Sequence, residues 1–504
     1  MTSASLIVDR DFSLSDIDRR IFGTFVEHMG RCVYTGIFEP GHPTSDSQGF
    51  RQDVAELTKE LGTTIVRYPG GNFLSGYNWE DGVGPVDKRP RRLDLAWMST
   101  ETNAFGTNEF VDWARKVGVE PMFGVNLGTR GIDDARRFIE YCNHPGGTQL
   151  SDLRKSHGWE KPHDIKFWCL GNEMDGPWQI GAMTAHEYGR AAQETAKVMR
   201  WVDPSIELAA CGSSNRDMAT YARWEYEVLD RCFDHVDFIS LHTYFMNPHD
   251  DTEEFLGNID LLDSFIKEVV SIADAVAATR RSPKRIMLSL DEWNVWYKAR
   301  GGDHQRKPGW PEHPPLIEEV YNHEDALLIG GALITLLNNS DRVKCACMAQ
   351  LVNIIGPILT EPGGAAWRQS IFHPFALTAK YAQGRVLKTL ASSKTYTGKT
   401  ATEMPYLNAT VTEDEATGQV TVFALNRNTS EPMDLEVVLR GFGKKRKVAE
   451  ALEIHHVNMK ATNTKDAQDT IAPRKLEKVE LKDDKLKVTL KPGSWNVIVT
   501  TPAA

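Results

Sequence analysis

The stretch KFWCLGNE, from Lys166 to Glu173, runs an unbroken apolar segment straight into a glycine, an amide and a carboxylate. Continuous rather than alternating hydrophobicity marks a parallel strand covered on both faces. Seven other stretches share the pattern: IFGTFVEH from Ile21, TIVRYPGG from Thr64, EPMFGVN from Glu120, IELAACG from Ile206, FISLHTY from Phe238, IMLSLDEW from Ile286 and KCACMAQL from Lys344. Each is followed by loop residues and then by a segment of helical periodicity. Eight strand-helix units in series predict an α/β fold of the (β/α)₈ barrel type. A doubly wound open sheet is the alternative, but FGTFVEH lacks the glycine-rich phosphate turn that usually follows the first strand of such a sheet.

Between these runs, Phe50 to Leu61, Asn108 to Val117, Thr184 to Trp201 and Leu261 to Thr279 read as helices, and Thr184 with Glu187 three residues on forms a capping box. Ala326 to Leu337 is the longest apolar helical run, too short to cross a bilayer and expected against the barrel sheet. From about Lys388 the character changes. VTVFALNRN, LEVVLRGF, KVAEALEI and KLKVTLKPGSWNVIVT alternate apolar with polar residues between turns, which predicts an antiparallel β-sandwich. The expected division is a catalytic barrel over 19–387 and a jelly-roll-like sandwich built from 1–18 and 388–504.

The net charge of −11 argues against nucleic acid or an anionic membrane as a partner, and the basic run from Lys444 to Lys447 reads as a solvated strand edge. The seven cysteines are odd in number and contain no CxxC pair, so a disulfide framework is not expected. The first residues, MTSASLIVDRDFSL, do not read as a secretory signal, and the expected location is the cytoplasm.

Polar residues at the C-terminal ends of barrel strands are the candidates for chemistry. The fourth strand ends in Asn172-Glu173 and the seventh in Asp291-Glu292, three βα units of about 40 residues apart. Two carboxyls facing one pocket suit cleavage of a glycosidic bond, where one gives a proton to the leaving oxygen and the other attacks or activates water. Arg67 and Tyr244, ending the second and sixth strands, are placed to keep Glu292 ionised, and a charged Glu292 would hold Glu173 protonated. Either glutamate alone would as readily cap a helix or pair with an arginine; the matched pair favours chemistry. Asp291 is expected on the opposite face of its strand by simple alternation, in a structural role. His242 has no second histidine at ligand spacing and reads as a hydrogen-bond partner of substrate or of its neighbours. Neither a metal nor a cofactor is expected, since HExxH, GxSxG and P-loop motifs are missing from the sequence. Cys345 and Cys347 read as barrel packing.

The sequence resembles the α-L-arabinofuranosidases of glycoside hydrolase family 51 over nearly its whole length. The likeness is carried by FGTFVEHMGRCVYTGI, VRYPGGNFLSGYNWEDGVGP, LAWMSTETNAFGTNEF, WCLGNEMDGPWQIG, SLHTY, LDEWNVWY and GSWNVIV. It implies a retaining, exo-acting enzyme that removes terminal α-L-arabinofuranosyl residues from arabinoxylan- or arabinan-derived oligosaccharides by double displacement. Glu173 would be the acid/base and Glu292 the nucleophile. Asn172 would bind the hydroxyl beside the reacting carbon, and Tyr244 would hold the nucleophile. Glu27, Asn72 and Gln350 would line the furanose pocket. Trp97 and Trp178 would wall the sugar sites, with core packing as the alternative for each. The resemblance also implies a homo-oligomer, often a hexamer. A β-xylosidase, an endoglucanase or a catalytically silent sugar-binding protein on the same scaffold stays open. The long seventh loop, KARGGDHQRKPGWPEHPPLIEEV from Lys298 to Val320, is expected to form a lid or subunit contact.

Overall fold

In the computed structural model, which describes residues 2–297, 309–399, 401–443 and 445–503, eight parallel strands close into a barrel. They are β1 (Gly23–Phe25), β2 (Ile65–Tyr68), β3 (Glu120–Val125), β4 (Phe167–Leu170), β5 (Glu207–Ala210), β6 (Phe238–Phe245), β7 (Met287–Val295) and β8 (Val343–Met348). Each lies inside one of the eight apolar runs or within two residues of it, because those runs fill the space between a packed barrel interior and a ring of helices. The helices follow their apolar stripes: Gln52–Leu61, Thr107–Val117, Ala185–Val202 and Asn258–Thr279. Ala185–Val202 begins with the capping box, in which Thr184 accepts from the Glu187 N–H and Glu187 accepts from that of Thr184.

The second unit is one continuous sheet of ten strands, mostly antiparallel and curled around its own apolar cluster. One of its inner strands, Thr2–Asp16, comes from the N-terminus. It pairs antiparallel with Arg385–Ser392 and parallel with Met433–Arg440, a parallel pair that alternation alone does not reveal.

Helix His323–Asn338 explains how the two units hold together. It is apolar all round, and every residue from His323 to Leu337 is buried. Its inner side packs on the barrel, as expected; its outer side meets Phe423, Leu425, Trp495 and Val497 of the sandwich within the same apolar cluster. Gly330 and Gly331 allow that approach, since a Cβ at Gly330 would lie 2.4 Å from the Trp495 ring. Arg427, fully buried, reaches from the sandwich to pair with Asp260 on a barrel helix. All seven cysteines are free and buried. Among the described residues no helix is long and apolar enough to cross a membrane.

Much of the long seventh loop, including its charged first half, lies outside the described residues. Its second half touches the hairpin Arg92–Asp94/Ser99–Glu101: Thr100 donates through its backbone N–H to the Pro311 carbonyl at 3.1 Å and through Oγ1 to the Trp310 carbonyl at 2.7 Å.

Candidate active site

The carboxylates sit where the barrel's C-terminal ends converge. After β4 the chain turns sharply: Gly171 takes φ 89° and Glu173 itself φ 42°, in the left-handed region rarely used by a residue with a Cβ. The Gly176 N–H closes this turn onto the Glu173 carbonyl at 2.8 Å. Backbone of this kind costs of order 1–3 kcal/mol and survives where surrounding structure fixes it, commonly at functional sites. It aims the Glu173 carboxyl into the barrel mouth, where Oε2 accepts from Trp178 Nε1 at 2.6 Å and Oε1 meets His242 Nδ1 at 3.0 Å.

Glu292 is held from two other strands. Its Oε2 accepts from Arg67 Nη1 at 2.9 Å and its Oε1 from the Tyr244 hydroxyl at 2.7 Å. Arg67 is buried and its guanidinium lies over the Phe25 ring. It also donates to Asn172 Oδ1 at 2.6 Å and to the Asp291 carbonyl at 3.2 Å, tying β2, β4 and β7 into one network. Because Asn172 Oδ1 is taken, its Nδ2 faces Asn72 at 3.4 Å and Gln179 at 3.3 Å, long contacts that leave it available. One oxygen of Glu173, one of Glu292 and a ring nitrogen of His242 all lie within 4.8 Å of one another.

The remaining residues implied for the sugar pocket gather at the same place. Glu27 accepts from the Phe73 N–H and from Trp97 Nε1, each at 3.0 Å, and from Gln350 Nε2 at 3.1 Å. Burial, reinforced by the nearby Glu292 charge, pushes the Glu27 carboxyl up to about 7 against those hydrogen bonds. Glu27, Asn72, Trp97, Glu173, Trp178, Tyr244, Glu292 and Gln350 line a cavity of ≈ 450 Å³. Trp178 is 43% exposed, so it walls the cavity and packs in no core. Arg67, Asn172 and His242 are buried around that lining, Asn172 with its Nδ2 turned toward Asn72.

Asp291 departs from expectation. The register of β7 slips against β6 between Ser289 and Glu292, and against β8 between Leu290 and Trp293. This irregularity breaks the alternation and turns Asp291 inward beside Glu292. There its Oδ1 meets His242 Nε2 at 2.9 Å and its Oδ2 accepts from Ser289 Oγ at 3.1 Å. Burial would lower the His242 pKa, but the Glu292 charge and the hydrogen bonds to Asp291 and Glu173 outweigh it and push it up to about 10. Both ring nitrogens of His242 are thus engaged by carboxylates of the protein.

Residues 57–264 match the family model described as the α-L-arabinofuranosidase 1 domain, and residues 291–494 that of the α-L-arabinofuranosidase C-terminal domain. The chain is 54% identical to an intracellular exo-α-(1→5)-L-arabinofuranosidase of Halalkalibacterium halodurans, over 98% of each chain. It is also 54% identical to intracellular exo-α-(1→5)-L-arabinofuranosidase 1 of Bacillus subtilis, over 99% of each. A solved family 51 α-L-arabinofuranosidase from Bifidobacterium longum is similar with a TM-score of 0.95 at 42% identity, covering 99% of both chains. The chain belongs to the α-L-arabinofuranosidases of glycoside hydrolase family 51. An α-L-arabinofuranosidase from Thermotoga maritima, solved with arabinose, is similar with a TM-score of 0.88 at 35% identity, again over 99% of both.

For a member of this family the cavity has a second set of walls that sequence reasoning missed. Ser214, Asn215 and Asp217 follow β5, Met246 and Trp296 follow β6 and β7, and Ile317 comes from the long loop. The first three were findable, because CGSSNRD directly follows an apolar run and so occupies a catalytic loop of the barrel. Trp296, stacked edge-on to Tyr244, was obscured by the irregular strand.

Proposed function

We propose that this family 51 chain is a retaining, exo-acting α-L-arabinofuranosidase in which Glu292 is the nucleophile and Glu173 the acid/base. The observation that carries the reading is the pair of carboxyl oxygens within 4.8 Å inside one cavity. Retaining glycosidases hold their two carboxyls about 5–5.5 Å apart, whereas inverting enzymes leave about 6.5–9.5 Å for a water. Glu292, braced by Arg67 and Tyr244, attacks the anomeric carbon as Glu173 passes its proton to the leaving oxygen. The products of this half are a neutral glycosyl ester on Glu292 and a charged Glu173. Glu173 then takes a proton from water, the water oxygen displaces Glu292, and the sugar leaves with its starting configuration. Glu27, Asn72, Asn172 and Gln350 supply the hydrogen bonds for the furanose hydroxyls, and Trp97 and Trp178 its apolar walls.

The exo mode follows from a compact cavity walled on one side by the Trp97 hairpin, which is docked on the Trp310–Pro311 backbone. The names of the 54% identical relatives support α-(1→5)-linked arabino-oligosaccharides, taken up and cut in the cytoplasm, as the substrate. A second linkage has a specific basis: a 46% identical relative from Bifidobacterium longum is an exo-α-(1→6)-L-arabinofuranosidase. Assembly as a homohexamer belongs to the same reading and is measurable by light scattering. The test is p-nitrophenol release from the α-L-arabinofuranoside and the β-D-xylopyranoside, with arabinose release from α-(1→5)- and α-(1→6)-linked disaccharides alongside. Fast arabinofuranoside turnover and preference for the 1→5 link are expected; xyloside preference or inert arabinofuranosides would overturn the assignment.

A further inference from the structure

His242 touches both carboxylates to which chemistry is assigned. Its Nδ1 lies 3.0 Å from Glu173 Oε1 and 3.7 Å from Glu292 Oε2, while its Nε2 is anchored by Asp291 at 2.9 Å. The ring is buried and both of its nitrogens are engaged by carboxylates of the protein. We propose that His242 is a stationary positive charge shared by Glu173 and Glu292, a positioning residue that accompanies the negative charge as it passes between the two carboxylates in each half-reaction.

The charges around the ring fit this role. Asp291 faces it from β7 and is held below the usual carboxylate range; burial would raise it, but the Arg67 charge and the His242 hydrogen bond prevail. Cys169 on β4 lies 3.7 Å from Asp291, and burial keeps it, Cys211 after β5 and Tyr244 protonated. Asp291 is therefore a fixed counter-anion that keeps the imidazole charged whatever state the reacting pair is in.

In the resting site the negative charge of the pair is on Glu292, 3.7 Å from Nδ1. Attack on the anomeric carbon consumes it in the ester bond. Proton transfer to the departing oxygen regenerates it on Glu173, 3.0 Å from the same nitrogen. The second half-reaction runs the transfer backwards. The ring need not move, and its N–H···Oε1 bond becomes fully charge-assisted only once Glu173 has released its proton. Stabilisation that grows along the reaction coordinate accelerates the step, whereas stabilisation present throughout does not.

This proposal rests on the roles given to Glu173 and Glu292 above, and its test separates the two. His242→Gln keeps a hydrogen-bond donor and removes the charge. Both limbs of the kcat/KM–pH profile are expected to move upward together by about one unit or more, since an opposite charge within about 4–6 Å favours the ionised form of each carboxyl. Turnover of α-(1→5)-arabinobiose should fall about tenfold or more, while the 2,4-dinitrophenyl arabinofuranoside, whose leaving group needs no proton, falls much less. Limb positions and the substrate ratio do not depend on the fraction of enzyme folded. Unmoved limbs, or equal losses on the two substrates, would overturn the proposal. Neutron diffraction from the wild-type enzyme at neutral pH gives a second readout that needs no variant. Deuterons on both ring nitrogens of His242 are expected, and a bare nitrogen would overturn the idea. Turnover persisting in Glu292→Ala would instead undo the parent reading. An inert Glu292→Ala beside an unshifted His242→Gln would undo this inference alone.

Discussion

Trp178→Phe isolates a single hydrogen bond. The indole N–H donates to Glu173 Oε2 at 2.6 Å, yet the ring is 43% exposed, so its replacement disturbs little packing. A hydrogen bond to a neutral acceptor contributes about 0.5–1.5 kcal/mol and one to a charged acceptor about 1.5–3 kcal/mol. Glu173 changes from the first kind to the second when it releases its proton, so the bond strengthens by about 1–1.5 kcal/mol during the step. At about 1.4 kcal/mol per factor of ten, removing it should slow proton donation about tenfold. Phenylalanine keeps an apolar face for the sugar, and folding stability should stay within about 0.5 kcal/mol. The assay compares kcat/KM on α-(1→5)-arabinobiose, a poor leaving group, with the 2,4-dinitrophenyl glycoside, and records the thermal midpoint. A tenfold loss confined to the disaccharide is expected. Equal losses on both substrates would mean that Trp178 only shapes the sugar site, and the reasoning would fail.

Gly330→Ala sets helix propensity against packing. Alanine gains about 1 kcal/mol in a helix, but its Cβ would press on the Trp495 ring, and overpacking costs about 1–3 kcal/mol. The unfolding midpoint should fall with kcat unchanged, and a raised midpoint would contradict the tight barrel–sandwich contact. Asp94, buried beneath the Trp97 hairpin, is pushed up to about 6 by burial, against hydrogen bonds from the Ala96 N–H and Ser99 Oγ. A carboxyl raised in the folded state stabilises below its unfolded value near 4 and loses that contribution as pH rises through about 6. The midpoint of Asp94→Asn relative to wild type should therefore improve between pH 4.5 and 7.5, as read by differential scanning fluorimetry. A difference that stays flat or declines would be the contrary result.

Much of the barrel was legible because its strands are buried on both faces and announce themselves as apolar runs closed by polar residues. The two carboxylates proposed for the chemistry could be placed for the same reason: Glu173 and Glu292 stand where such runs stop. Asp291 was not, because a slip of register is a relation between neighbouring strands and leaves no mark in the order of residues along one of them. The role of helix His323–Asn338 was only half legible. Its all-round hydrophobicity promises burial, but only the three-dimensional arrangement shows that the outer cover is the sandwich. The N-terminal strand looked like a strand, yet its parallel partner lies more than 400 residues away in the chain and no local pattern names it. Trp178 carried an open choice between core and sugar wall; its exposure and its place in the cavity lining exclude the core.

The central claim, that Glu292 attacks and Glu173 shuttles the proton in a double displacement, is tested most directly by azide rescue with determination of product configuration. On an activated aryl α-L-arabinofuranoside, Glu173→Ala with azide should form the α-configured arabinofuranosyl azide, because azide displaces Glu292 from the intermediate. Glu292→Ala with azide should form the β-configured product in one inverting step. The opposite pairing of variants and products, or wild-type turnover in Glu292→Ala without azide, would contradict the account.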